Sequence, residues 1–124
     1  MPTSVRKNLE KLLAELQTRD PEIKGVAIAR KDGLLIAENI RTDIDKDILA
    51  AMAASIFVIG SKSSKELTGG TLKRILIENE NGKIVLSEIA NGMLIIAVVN
   101  HDANIGLLFM ELERISRDIE EVVK

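Results

Sequence analysis

The sequence predicts a mixed α/β (α+β) fold in which one antiparallel sheet carries helices on both faces. Three observations predict it. The dipeptides Asp32-Gly33, Asn81-Gly82 and Asn91-Gly92 each separate two short apolar runs, as hairpin turns do. Both ends of the chain carry apolar stripes at helical spacing. Between them lies "ILAAMAASIFVIG", residues 48–60, which is apolar except for Ser55. With 124 residues, 46% hydrophobic and 29% charged, the chain has the size and composition of one globular domain over 1–124.

The elements follow in order. "TSVRKNLEKLLAELQTRD" places Val5, Leu9, Leu12, Leu13 and Leu16 on one helical stripe, with Thr3 or Ser4 as cap. Asp20-Pro21 ends it, because the residue before proline is pushed out of helical geometry. Strands are expected at 23–30 and 34–39 around Asp32-Gly33. A second helix runs from Asp45 to Leu67, with Asp43, Asp45 and Asp47 at its positive end and Lys62 and Lys65 near its negative end. Gly69-Gly70 stops it. A three-strand meander follows at 71–79, 83–90 and 93–100. The last helix carries Ile105, Leu108, Leu112, Ile115, Ile119 and Val122, after a cap at Asp102 or Asn104.

Two strands are apolar at both phases, "GVAIA" and "MLIIAVV". Burial on both faces places them centrally. The strand with Lys73, Arg74 and Glu78 among Leu72, Ile75, Leu76 and Ile77 suits an edge.

The middle helix has almost no solvent face, so it needs cover on more than one side. On a wheel, Ile48, Leu49, Met52, Ile56, Ile59 and Leu67 form one sector, expected to pack on the sheet. Ala50, Ala53, Ala54, Gly60, Ser61 and Ser64, with Phe57, form the other. That small face has no evident partner within the chain, so a second subunit is expected to cover it about a two-fold axis. The dimer surface predicted in this way is Ala50, Ala53, Ala54, Phe57, Gly60 and Ser61, continued by Leu72, Ile75 and Ile77 of the edge strand. Ser61, Lys62, Ser64 and Lys65 mark its solvent edge as a partner-binding site.

Chemistry is sparsely represented. The one histidine, His101, precedes Asp102, and such pairs occur in metal phosphohydrolases, but a metal site needs three or four ligands. Ser61, Ser63 and Ser64 near Lys62 and Lys65 lack a base held against a nucleophile. "GSKSSKELTGGT" lacks phosphate-loop spacing and follows a helix rather than a strand. There is no cysteine. The reading is therefore no enzyme, no metal and no cofactor. Nucleic acid is not an expected partner, since there is no Trp or Tyr to stack on and no basic block. No targeting segment is visible, and the 13-residue apolar run is shorter than the ~20 residues that span a bilayer. A cytoplasmic protein without membrane insertion is expected.

The pattern resembles the roadblock (dynein light-chain) domain family over nearly the whole chain. The likeness rests on the α-β-β-α-β-β-β-α order and on "IKGVAIARKDGLLIAE" as the first hairpin. It rests further on "DILAAMAASIFVIGSKSSKELTGGTLKRILIE" as the long helix running into the next strand, and on "NGMLIIAVVNHDANIGLLFMELE" as the last strand and helix. The resemblance implies a five-stranded, profilin-like sandwich with the middle helix on one face and the terminal helices on the other. It implies dimers that align middle helices and join their third strands. It also implies binding and regulation of Ras-like small GTPases, or scaffolding of motors and signalling complexes. In some prokaryotic members the dimer stimulates GTP hydrolysis by the partner. A small-ligand sensor of profilin-like or PAS-like type is the alternative, and it needs a polar pocket against the sheet.

Overall fold

The computed structural model describes residues 2–40 and 43–124. The elements are α1 (Thr3–Arg19), β1 (Ile23–Arg30), β2 (Leu35–Ile40), α2 (Lys46–Thr68), β3 (Arg74–Asn79), β4 (Gly82–Glu88), β5 (Met93–Asn100) and α3 (Ile105–Val123). The five strands form one antiparallel sheet in the order β2-β1-β5-β4-β3. β1 and β5 pair at its centre, as their two-sided apolar character requires, and β3 lies at an edge.

Side chains alternate across the strands and divide the interior into two cores. Beneath the sheet, Leu9, Leu13 and Leu16 of α1 and Leu108, Leu112, Ile115 and Ile119 of α3 meet Val26, Ile28, Ile95 and Ala97. Each large aliphatic side chain buried there contributes about 1.5–3 kcal/mol. Above it, α2 meets Ala27, Ala29, Leu86, Leu94 and Ile96.

The caps are partly as expected. Asp45 accepts from the N–H groups of Asp47 and Ile48, and Asn104 from that of Leu107. Gly69 closes α2 at φ 73°, its N–H bonded to the Lys65 carbonyl. Thr3 and Ser4, however, lie inside α1, whose N-cap is Pro2 and which has no side-chain cap bond.

The three turns differ in chemistry. Asn91 (φ 60°) and Gly92 (φ 71°) both take left-handed geometry, as a two-residue hairpin turn demands. In the first hairpin only Gly33 does (φ 93°), after a turn closed by its N–H on the Arg30 carbonyl. The β3–β4 turn is centred one residue early, at Glu80-Asn81, because the Asn79 side chain accepts from the N–H groups of Asn81 and Gly82. Gly82 serves packing instead: a Cβ there would stand 2.8 Å from the Val99 carbonyl oxygen.

The orientation of α2 is largely the reverse of that expected, although Leu49 and Ile56 of the large sector pack partly against the core above the sheet. Ala50, Ala53, Ala54 and Phe57 are buried against the chain's own sheet. Ile48, Met52 and Ile59 are 55%, 58% and 65% exposed. The cause is steric. The sheet already supplies Leu86, Leu94 and Ile96, so the helix can approach only with its small side chains downward, and Phe57 fills the remaining space. By length and composition the full 23-residue helix is long and apolar enough to cross a membrane, which the shorter run understated. Its alanine face is nevertheless committed to the sheet.

Candidate interaction surface

The outer face of α2 is an exposed apolar surface. Ile48, Met52 and Ile59 share a sector with Ser55, Lys62 and Glu66, and all six are exposed. One flank borders the tip of the β1–β2 hairpin, where Lys31, Asp32, Ala51, Ser55 and Val58 line an open groove of about 460 Å³. Gly33 fits there because its backbone lies against Ala51. The other flank leads to β3, since Gly60 abuts Ile75 and Leu72.

This arrangement corrects the predicted dimer surface. Ala50, Ala53, Ala54 and Phe57 belong to the monomer core and present nothing to a second subunit. Gly60 is where α2 crosses β3. Leu72 and Ile75 pack partly under the helix, and Ile77 is half-buried. The unpartnered face exists, but it is the large one. A signal for this was present: Ser55, Lys62 and Glu66 fall in the large sector, whereas the small sector from Ala50 to Ser64 holds no charge.

β3 pairs with β4 from Arg74 opposite Ser87 to Asn79 opposite Gly82, and the sheet ends there. Its outer backbone edge is therefore open to a further strand. Arg74 lies under the sheet, 4.5 Å from the Phe109 ring and 3.5 Å from Glu113. Leu76 is 39% exposed at this edge.

The predicted partner-binding residues separate. Lys62 and Lys65 are exposed, with no carboxylate within 4 Å among the described residues. They line a groove of about 400 Å³ with Ser61, Thr71 and Lys31, whose ammonium sits 3.0 Å from Glu88. Ser64 turns inward, donating to the Gly70 carbonyl, and serves the end of the helix. His101 stands in an exposed turn, its carbonyl accepting from Lys83. Far from this surface, Asp20 is buried at the foot of α1. Burial holds its carboxyl above the usual range, Glu111 and Glu22 add to the rise, and a bond from the Glu22 N–H opposes it.

Known proteins share this architecture. The Roadblock/LC7 domain model matches residues 9–100. Uncharacterized protein MJ1340 of Methanocaldococcus jannaschii is 30% identical over 112 residues, covering 90% of this chain and 96% of its own. MglB of Myxococcus xanthus superposes with a TM-score of 0.88 at 16% identity, over 99% of this chain and 92% of that one. A Roadblock/LC7 domain from Streptomyces avermitilis superposes at 0.85 and 17% identity, over 92% and 96%. Profilin IB of Acanthamoeba castellanii shares the fold at 0.64 and 11% identity, over 91% and 97%. With the family model matched over most of its length, the chain belongs to the Roadblock/LC7 domain family.

Proposed function

We propose that this domain is a non-catalytic, dimeric regulatory module that binds a Ras-like small GTPase and modulates its GTP hydrolysis. The observation that carries the reading is the outer face of α2: Ile48, Met52 and Ile59 in solvent, continued on one side by the open edge of β3. A large exposed apolar face on a small domain marks an interaction surface. Two copies joined at this side form one composite face, on which a partner docks, with Ser61, Lys62 and Lys65 at its rim. The small-ligand alternative has less support, because Ala27, Ala29, Leu86, Leu94 and Ile96 fill the sheet face under α2.

The test has two parts. Sedimentation over a concentration series reads self-association. Interferometry with purified Ras-like GTPases, loaded with GDP or a non-hydrolysable GTP analogue, reads partner binding, and single-turnover hydrolysis reads modulation. The expected result is a dimer that prefers the GTP form and changes its hydrolysis rate. A concentration-independent monomer, or a dimer indifferent to every such GTPase, would overturn the reading.

A further inference from the structure

Glu113 and Arg117 stand one turn apart on α3, the spacing at which a helical ion pair forms. The pair does not form. Glu113 turns to Arg74 of β3, 3.5 Å away, and Arg117 has no carboxylate within 4 Å among the described residues. Arg117 therefore lines, unpaired, a groove of about 550 Å³ beneath the sheet, between α3 and the segment entering β3. Lys73 lines the same groove and is likewise unpaired among the described residues. Both carboxylates of the groove are already held: Glu88 lies 3.0 Å from Lys31, and Glu113 is the one beside Arg74. At 3.5 Å the Arg74 contact is longer than a good hydrogen bond. The Phe109 ring, 4.5 Å away, fixes the guanidinium without using an N–H. The hydroxyls of Thr71 and Ser116 add donors that have no partner among the described residues.

We propose that this groove binds a phosphate group, held by Arg117 and Lys73 with Arg74 as a pre-positioned third donor. The inference goes beyond the regulatory reading above and does not depend on it, because α3 and the groove lie on the face of the sheet opposite α2. A phosphate ester carries a charge of about −1.5 to −2 at pH 7 and offers three acceptor oxygens. It can accept from Arg117, Lys73 and a hydroxyl at once. A carboxylate offers two oxygens, and Arg74 already has one carboxylate beside it. The volume falls in the range of about 300–1,000 Å³ usual for small-ligand sites, and Leu72 and Leu112 give the groove an apolar lining for the body of the ligand. The chain as a whole has a net charge of -2, so attraction to an anion here is local to these cations. The phosphate belongs to a free small molecule or to a lipid headgroup, which share this chemistry.

Two probes test the site on the full chain. Calorimetry with inorganic pyrophosphate reads a free ligand, and co-sedimentation with phosphatidylcholine vesicles containing phosphatidic acid reads a headgroup. The expected result is saturable binding of at least one probe, with NMR amide shifts gathered at 71–74 and 116–117. Pyrophosphate alone points to a free phosphorylated molecule, and the vesicles alone to a lipid. Arg117→Gln and Lys73→Gln each remove an exposed charge, so each is expected to leave the circular dichroism unchanged and to weaken binding about tenfold. Lys7→Gln, which removes an exposed cation of α1 outside the groove, is expected to leave binding unchanged. An oligoglutamate peptide is the control for carboxylates. If it shifts the same amides and binds as tightly as the phosphate probes, the groove takes an acidic peptide and the phosphate assignment is overturned. No saturable binding of either probe, or binding that ignores both Arg117→Gln and Lys73→Gln, also overturns it. Failure of self-association or of GTPase binding would overturn the regulatory reading and leave this result standing.

Discussion

Gly60 of α2 and Ile75 of β3 touch so closely that a Cβ on the glycine would stand 2.7 Å from Ile75 Cδ1. The atoms met, Ile75 Cδ1 and Leu72 Cδ2 at 3.3 Å, are ends of flexible side chains. Alanine gains about 0.5–1 kcal/mol over glycine inside a helix. The two effects offset, so Gly60→Ala is expected to change the unfolding free energy by less than about 1 kcal/mol. Gly82 differs, because its added Cβ would meet the Val99 carbonyl oxygen, which is backbone of a central strand. Gly82→Ala is expected to cost about 1–3 kcal/mol. Urea denaturation ranks the two, and equal stabilities would show that β4 and β5 separate more easily than their pairing implies.

The two faces of α2 predict opposite phenotypes. Ala53→Leu adds volume between helix and sheet and is expected to destabilise the monomer by about 1–3 kcal/mol. Ile59→Ser acts on an exposed side chain and is expected to leave the monomer within about 0.5 kcal/mol while weakening self-association. Thermal melts at low concentration read the first effect and sedimentation reads the second. If Ala53→Leu splits the dimer without lowering the melting temperature, the assigned orientation of α2 is wrong.

Much of this fold was legible because burial leaves a periodic trace. β1 and β5 are apolar at both phases and are central, whereas β3 mixes charge with apolar residues and is an edge. The orientation of α2 was not legible from residue size. Size suggests that large side chains seek the sheet, but room beneath the helix is set by Leu86, Leu94 and Ile96, which are distant in sequence. The lone charges on the large face, Lys62 and Glu66, were the better guide, since an unpaired charge is costly to bury. The Asn79 side chain likewise moved a turn that backbone preference alone placed at Asn81-Gly82.

Asp20 gives the stability a pH dependence of definite sign. Its folded carboxyl titrates above the unfolded value, chiefly because it is buried. The folded state therefore holds the proton more tightly. This contribution is fully present below the unfolded pKa of about 3.9 and is lost as pH rises through the folded value. At neutral pH the buried carboxylate is a net cost. Asp20→Asn keeps an acceptor for the Glu22 N–H and removes the charge. The variant is expected to melt higher than wild type at pH 7, with the gap closing below about pH 4. A gap independent of pH would assign the effect to packing.

Lys62 and Lys65 can serve the helix or the partner, and the two roles separate by position. Lys65 lies in the last turn of α2, where a cation near the exposed carbonyls is worth about 0.3–1 kcal/mol. Lys62 lies outside that turn, so the dipole gives it little. Lys65→Glu is expected to lower stability by an amount of that order, and Lys62→Glu to leave it nearly unchanged. If the groove they share with Ser61 and Thr71 borders the docking face, both reversals act on association with the GTPase. Rim charges act on encounter more than on the bound state, so the association rate is expected to fall and its salt dependence to flatten. Sedimentation must first show that each variant remains a dimer, because a lost dimer would lower binding for another reason. With the dimer intact, an unchanged rate at low salt would confine Lys65 to the end of the helix and move the docking face away from both lysines, towards the exposed side chains of Ile48 and Met52.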